Sequence, residues 1–307
     1  MSEIKPVEAE WHVDGLNYAG LIHGPADGLK VLALHGWMDH ADSFRSLAPL
    51  LPRCRVHAVD LSGHGKSGHR APHATYNIWD DLPQLVALTE SWGWKDFVLL
   101  GHSRGASIAA LYAAAHPEAV RALICLDSFL PQPQPAEKLS ATLAAFIRDC
   151  AKQKAAPPRK FDNPDSYIAR RMEWGNSAVV AGLLAERALQ PVGEGFVLRA
   201  DNRMFGSSAV RLSAEQICFV AAAIRCPILM LWAREGEAGT RQEAEKFWAD
   251  GHSAIPFVET RCLPGDHHFH LDPCSAPAVA GEIARFLKVQ GLLVIPTPDN
   301  KKAAPSI

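Results

Sequence analysis

Short apolar runs alternate along this chain with segments of helical spacing, and several of the runs end in a glycine turn. The apolar runs cover residues 30–36, 55–63, 96–103, 122–128, 226–233 and 257–265. Strands that are apolar on both faces suit a parallel sheet that helices cover on each side. Helical spacing occupies residues 41–51, 77–92, 103–115, 240–249 and 276–288. The alternation predicts an α/β fold with a mostly parallel, doubly wound sheet.

This rhythm breaks between residues 131 and 207, where helical character continues without a convincing strand. We interpret this stretch as a helical cap inserted between two strands of the sheet. The predicted core then consists of residues 1–130 and 208–292. The polar, proline-containing end, residues 293–307, is predicted to be a flexible tail.

Composition and charge exclude several classes of function. The chain has 307 residues, 48% of them hydrophobic and 21% charged, and a formal net charge of -2. This balance gives no basis for binding nucleic acid or an anionic membrane. The first residues lack a signal-peptide pattern, no apolar run is long enough to span a bilayer, and the seven cysteines have no CxxC spacing. We therefore expect a cytoplasmic protein with reduced thiols that acts on a small molecule.

A serine between two glycines marks the most informative strand end. The segment Gly101-His102-Ser103-Arg104-Gly105 follows the apolar run "FVLL" and precedes the helix former "SIAALYAAAH". A G-x-S-x-G turn between a strand and a helix exposes its serine at the edge of the sheet, with room for a substrate. Ser103 is therefore predicted to be a nucleophile.

A serine nucleophile needs amide donors for the oxyanion and a base. The backbone N–H groups of Trp37, after an earlier strand, and of Arg104, after the serine, are the predicted donors. The late segment "LPGDHHFHLDP" offers three histidines, of which His267 is favoured because it comes first in the loop beyond the last strand. His270 is expected to pack or orient, and His268 to be an exposed neighbour.

Histidines this dense also raise the question of a metal site. Further ligands would have to come from the histidines earlier in the chain, His64, His69 and His73. Because no carboxylate or cysteine set at metal-ligand spacing accompanies them, we predict no metal.

Two places in the sequence could supply the acid that orients the base. Asp127 ends the run "ALICLD", and Glu235 and Glu237 lie in "LWAREGEAG" after the next core strand. Either choice preserves the chain order of serine, acid and histidine. The pattern of residues leaves both open.

Four motifs together resemble the α/β-hydrolase superfamily and, within it, the serine hydrolase-like proteins. They are, in order, "LHGWMDHADSF", "DLSGHGKS", "GHSRGA" and "PGDHHFHLDP". The resemblance implies an α/β-hydrolase fold, Ser103 as nucleophile, His267 as base and a helical cap. Many relatives carry an aspartate soon after the strand that precedes Glu235, but this chain has none there. That departure favours Asp127 over Glu235 and Glu237 as the acid.

The expected activity is that of a serine hydrolase, a carboxylesterase that forms an acyl-enzyme and needs no cofactor. Lactone, thioester or carbon–carbon bond hydrolysis on the same three residues is the alternative, as is a ligand-binding protein with little turnover. Serine rather than aspartate at position 103 disfavours the dehalogenase and epoxide-hydrolase branches.

Several side chains are candidates for contact with the substrate. From the core we name Trp37, Met38, Arg104 and Phe129, with the Arg104 guanidinium as a contact for an acidic group. From the cap we name Trp174, Phe161, Met172 and Met204.

Overall fold

The computed structural model describes residues 5–51, 53–236, 241–242 and 258–293. Eight strands form one sheet: β1 (Val7–Val13), β2 (Leu16–His23), β3 (Leu29–Leu34), β4 (Cys54–Val59), β5 (Phe97–His102), β6 (Val120–Leu126), β10 (Ile228–Ala233) and β11 (Val258–Leu263). The spatial order is β1-β2-β4-β3-β5-β6-β10-β11. Neighbours from β4 to β11 are parallel, and β2 is antiparallel to both β1 and β4. The mostly parallel sheet predicted from the sequence is confirmed.

Helices cover both faces of this sheet, because successive strand residues point to opposite sides. In β3, Leu32 and Leu34 pack on one face and Val31 and Ala33 on the other, all fully or nearly fully buried. The covering α-helices of the core are α1 (Leu82–Ser91), α2 (Arg104–Ala115), α6 (Ala214–Ala223) and α7 (Ala276–Val289). Two apolar layers result, one with α1 and α2 and the other with α7.

Two of the predicted core helices differ from the structure or lie beyond it. Residues 41–51 form two short 3-10 turns, Ala41–Phe44 and Ala48–Leu50, because Pro49 has no N–H for a longer helix. The predicted helix at 240–249 lies mostly outside the described residues. So does the predicted tail, except for its first residue.

The inserted stretch 131–207 contains strands that the sequence did not predict. Its helices are α3 (Leu139–Ala155), α4 (Pro164–Glu173) and α5 (Ala178–Ala188), and its strands are β7 (Lys160–Phe161), β8 (Leu189–Val192) and β9 (Gly195–Leu198). The strands form an antiparallel sheet in the order β7-β9-β8. Each is two to four residues long, too short to show an alternating pattern. The expectation of helices alone was therefore wrong.

A buried arginine attaches α5 of this insertion to the core. The Arg187 guanidinium donates from Nε to Asp60 Oδ2 at 2.8 Å and from Nη2 to Glu8 Oε1 at 2.7 Å. Asp60 is fully buried and also accepts the N–H groups of Ala41 and Lys66.

Among the described residues, no helix has both the length and the apolar character that crossing a membrane requires.

Among the described residues, six histidines outside the cleft discussed below are buried with depressed pKa values, and His270 is one of them. Burial lowers the pKa to about 3 for His35, His40 and His64, and to about 4 for His23 and His57. Their ordinary value is 6.5, so each is neutral in the folded protein where the unfolded chain already binds a proton. Folding therefore releases protons at pH values between the depressed pKa values and 6.5.

We predict that the protein loses stability as the pH falls from about 6.5 towards about 4, since protons bind the unfolded chain first. Replacing His57, which packs among Trp11, Trp92 and Trp94, with Phe removes one such group. His57→Phe should reduce the stability lost between about pH 7.5 and about pH 5 by about 2 kcal/mol. Urea denaturation at both pH values measures this, with His12→Phe on an exposed strand position as control. Identical pH dependence in wild type and His57→Phe would contradict the prediction.

Candidate active site

Ser103 lies between β5 and α2 and has a backbone conformation that favours glycine. Its φ is +51°, which costs a non-glycine residue about 1–3 kcal/mol. Both flanking glycines are needed for close packing. A Cβ on Gly101 would overlap the backbone of Ala106, and a Cβ on Gly105 would overlap the carbonyl oxygen of Leu34. The sheet and helix thereby hold the serine in a tight turn at the carboxyl edge of the sheet.

His267 lies in the loop after β11 and contacts Asp127, which directly follows β6. His267 Nδ1 donates to Asp127 Oδ2 at 2.7 Å. The other oxygen, Oδ1, accepts the backbone N–H of Ala233 at 2.9 Å. A Cβ at Gly236 would overlap the Asp127 carboxylate. The buried carboxylate is therefore fixed by the end of β10 and directed at the imidazole.

Glu235, the rival for the acid position, has a different partner. Its Oε2 accepts the N–H of Gly265 at 2.6 Å, two residues before His267. The side chain thus braces the turn that leads into the histidine loop. Glu237 lies outside the described residues.

Ser103 and His267 line one cleft of about 740 Å³, which opens between the core and the stretch 131–207. The core contributes Gly36, Trp37, Asp39 and residues 102–103, 235–236 and 266–268. The insertion contributes Arg159, Arg170, Arg171, residues 174–176 and Phe205. Trp37 and Trp174 stack across the cleft with ring centroids 5.9 Å apart. The indole of Trp37 also donates to the carbonyl of Met204 at 2.9 Å.

Two backbone amides near Ser103 have no hydrogen-bond acceptor within the described ranges. Arg104 is the first residue of α2, where a helix leaves its N–H groups unsatisfied. Trp37 follows β3 in a turn whose next residue, Met38, has φ +60°. The amides named from the sequence as oxyanion donors are therefore available for a ligand.

Three predicted substrate contacts lie elsewhere. The Arg104 guanidinium is buried and donates from Nη2 to the carbonyl of Tyr76 at 2.7 Å, and it does not line the cleft. Burial lowers its pKa. Phe129 packs in the apolar layer with α1 and α2. Met38 packs in a buried cluster with Tyr167 of the insertion.

The aromatic and methionine side chains predicted for the pocket lie in three different places. Trp174 lines the cleft. Met204 and Phe161 belong to the cluster around Met38, whereas Met172 is exposed.

A buried ionic network lies behind the cleft and centres on Asp39. Arg171 of α4 donates from Nη2 to Asp39 Oδ1 at 2.7 Å, and His268 donates from Nε2 to Oδ2 at 3.0 Å. Asn176 donates to His268 Nδ1 at 2.9 Å. Burial opposes ionisation, but His268 and Arg171 hold the pKa of Asp39 well below its usual value. His268, expected to be exposed, is instead buried and joins the insertion to the histidine loop.

His102 connects this network to the backbone of the histidine loop. Its Nε2 donates to the carbonyl of His267 at 2.9 Å, and its Nδ1 lies 3.6 Å from Asp39 Oδ2. Burial lowers the pKa of His102 to about 4. The ligand atoms of Asp39, His102 and His268 lie within 4.8 Å of one another, a spacing compatible with a metal ion. The Arg171 guanidinium already supplies a positive charge to this carboxylate.

The other histidines that a metal interpretation invoked are held separately. His270 is hydrogen-bonded to Ser43 Oγ at 3.0 Å, His64 to the carbonyl of Ser62, and His69 to the carbonyl of Arg199. His73 does not belong to the group of potential ligands found among the described residues.

Sequence reasoning missed the basic residues of the cleft and the role of Asp39. Arg170 and Arg171 are adjacent on α4, and Arg159 precedes β7. The one available signal was the pair of arginines in "ARRMEW". A pair of charges on a helix more often marks a solvated face, and a single sequence gives no measure of burial.

Comparison with known proteins adds a family context. A model of the alpha/beta hydrolase fold matches residues 31–248. A "Serine hydrolase-like protein" of Danio rerio is 30% identical over 284 residues, which are 88% of this chain and 85% of that protein. A "Probable serine hydrolase" of Drosophila melanogaster is 29% identical and covers 92% of this chain and 84% of its own.

A solved structure is similar over nearly the same length. The crystal structure of a hypothetical protein from Pseudomonas aeruginosa PAO1 matches with a TM-score of 0.84 and 34% identity. The match covers 92% of this chain and 99% of that one.

We predict that Arg171→Met destabilises the protein by about 3 kcal/mol or more, because it leaves the Asp39 carboxylate buried without its arginine partner. The matched control is Arg170→Met, since Arg170 is exposed and pairs with exposed Glu173. That variant should change the free energy of unfolding by less than about 1 kcal/mol. Urea denaturation of both variants measures the difference. Equal losses would show that the buried pair contributes no more than the surface pair.

Proposed function

Because this chain belongs to the α/β-hydrolase family, we propose that it is a serine hydrolase that cleaves a carboxylic ester through an acyl-enzyme. The names of its relatives and the fold support a hydrolase. One observation carries the finer proposal: His267 Nδ1 lies 2.7 Å from the buried Asp127 carboxylate, in a loop that shares its cleft with Ser103. An imidazole that donates from Nδ1 to a carboxylate has the tautomer in which Nε2 is the proton acceptor.

In the proposed reaction His267 accepts the Ser103 proton as Oγ attacks the carbonyl carbon of the substrate. The tetrahedral oxyanion accepts hydrogen bonds from the N–H groups of Trp37 and Arg104, each worth about 3 kcal/mol of barrier. His267 then protonates the departing alcohol. In the second half it activates water, which attacks the acyl-enzyme and releases the acid and Ser103.

Asp127 is proposed to orient His267 and to stabilise the imidazolium that forms in each half. Its second oxygen is occupied by the Ala233 N–H, so the carboxylate keeps its geometry while the imidazole changes charge. His102 supports the same orientation from the other side through the His267 carbonyl. Neither residue has to take up a proton in this scheme.

The stretch 131–207 is proposed to act as a cap that shapes the substrate site. Five of its side chains in the cleft are aromatic or basic, namely Arg159, Arg170, Arg171, Trp174 and Phe205. Trp174 stacks on Trp37 next to the proposed oxyanion donors. In this proposal the cap side chains line the same cleft as Ser103 and contact the part of the substrate that lies beyond the carbonyl.

Covalent labelling tests the proposal. A fluorophosphonate should label the wild type on the peptide that contains Ser103, and Ser103→Ala should be unlabelled and inactive on p-nitrophenyl butyrate. Asp127→Asn should lower the labelling rate by roughly 10³- to 10⁴-fold, since the imidazole loses its orienting carboxylate. Peptide mass spectrometry identifies the labelled residue, and labelling reactions quenched at successive times give the labelling rate.

Glu235→Gln is the matched control, because it removes the charge of the rival candidate for the acid position. It should label at close to the wild-type rate. Collapse of labelling in Glu235→Gln with retention in Asp127→Asn would reverse the assignment of the acid. A folded wild type that neither labels nor hydrolyses esters would instead favour the ligand-binding alternative.

A further inference from the structure

We infer that the substrate carries an anionic group, a carboxylate or phosphate, on the side of the cleft away from Ser103, and that Arg159 binds it. The inference rests on the proposed function, and it names the substrate class of the same site. It replaces the predicted role of Arg104, whose guanidinium is buried against Tyr76.

The Arg159 side chain stacks on an aromatic ring of the cleft. Its guanidinium carbon lies 3.4 Å from the centroid of the Phe205 ring, so the planar group stacks on the aromatic face. Its carbonyl accepts the N–H of Leu198 at 2.9 Å, which joins it to β9. The side chain is half-buried. Stacking fixes one face of the guanidinium and leaves the N–H groups at its edge for a ligand in the plane.

The three arginines that line the cleft differ in their partners. Arg171 is paired with Asp39 at 2.7 Å, and Arg170 with Glu173 at 2.6 Å. Arg159 makes no ion pair and no side-chain hydrogen bond within the described part of the chain. Desolvation and the positive charge of Arg170 both lower the pKa of Arg159. A half-buried cation with unused donors is the site to which an anion would bind most favourably.

The carboxylates in the cleft wall lie on the core and are already engaged. Asp39 accepts from Arg171 and His268. Glu235 accepts the Gly265 N–H, and Asp266 accepts the N–H of His268. The cations come from the cap and the anions from the core loops. This division directs the anionic end of a substrate towards the cap.

An aromatic path connects the proposed oxyanion donors to Arg159. The Trp37 ring contacts the Phe205 ring at 5.4 Å between centroids, and Phe205 carries the Arg159 guanidinium. Trp174 stacks on Trp37 from the cap side. A short apolar linker along these rings would join the reacting carbonyl to the anionic group. A monoester of a short dicarboxylic acid has this shape.

Two esters of matched length test the inference: p-nitrophenyl valerate, which is neutral, and mono-p-nitrophenyl glutarate, which is anionic. The wild type should have the higher kcat/KM on the anionic ester. Arg159→Met should lower kcat/KM for that ester by roughly 10- to 100-fold, the effect of one lost charge-assisted contact. Turnover of the neutral ester should change little. Arg159→Glu should reverse the preference between the two esters.

Arg148→Met is the charge-matched control, because Arg148 lies on an exposed face of α3 outside the cleft. It should leave the preference unchanged, whereas Arg159→Lys should retain part of it. If Arg159→Met slowed both esters equally, or neither, the inference would be wrong and the proposed hydrolase activity would stand. The same holds if the wild type preferred the neutral ester.

Equilibrium binding of glutarate separates the inference from the proposed function. Calorimetry should give a dissociation constant at least about tenfold weaker for Arg159→Met than for the wild type, and unchanged for Arg148→Met. If neither ester were hydrolysed but glutarate binding still depended on Arg159, the hydrolase proposal would fail and the anion site would remain. Glutarate binding that is insensitive to Arg159, or absent, would overturn the anion site.

Discussion

Parallel strands end at the same edge of a sheet, and the arrangement of the whole site depends on this constraint. Ser103, Asp127 and His267 follow β5, β6 and β11, which are separated widely in the chain but lie within one sheet. In the part of the chain that the structure describes, four non-glycine residues have positive φ, and three of them lie beyond strand ends at this edge, namely Met38, Ser103 and Asp127. Each such backbone costs about 1–3 kcal/mol. The strain is tolerated because the two apolar layers on the sheet hold the strands from which these turns extend.

The sequence was sufficient for the parallel part of the sheet because each of its six strands carries its own signal. An apolar run that ends in a turn and leads into a helix is a local pattern, and repetition leaves few sheets that satisfy it. The same pattern in the sequence predicts that Ser103 and Asp127 lie at strand ends. It could not separate Asp127 from Glu235, because β6 and β10 are adjacent in the sheet and both end near His267. The two carboxylates differ in their partners, His267 Nδ1 for Asp127 and the Gly265 N–H for Glu235, and both contacts are three-dimensional features.

What the sequence could not predict is concentrated in the insertion and its contacts. The strands β7 to β9 are too short for a periodic signal, and Arg171 meets Asp39 across more than a hundred residues of chain. His268 was expected at the surface because an adjacent pair of histidines gives no indication of which one is covered. Its burial follows from Asp39 on one side and Asn176 on the other. Pairing across such a distance depends on the docking of two units, for which a single sequence carries no pattern.

The insertion is attached to the core by charges rather than by apolar packing alone, and this affects the chemistry of the cleft. Arg187 and Arg171 are both buried and both pair with core aspartates, Asp60 and Asp39. Buried ion pairs add little net stability over apolar contacts, but they define one orientation, since any displacement leaves a charge uncompensated. In that orientation Trp174 and Arg159 line the same cleft as Ser103. Adjacent positions on α4 then acquire different roles: Arg171 joins the insertion to the core, and Arg170 pairs with Glu173 at the surface. Arg159, before β7, has no ion-pair partner among the described residues, so its charge remains for the cleft.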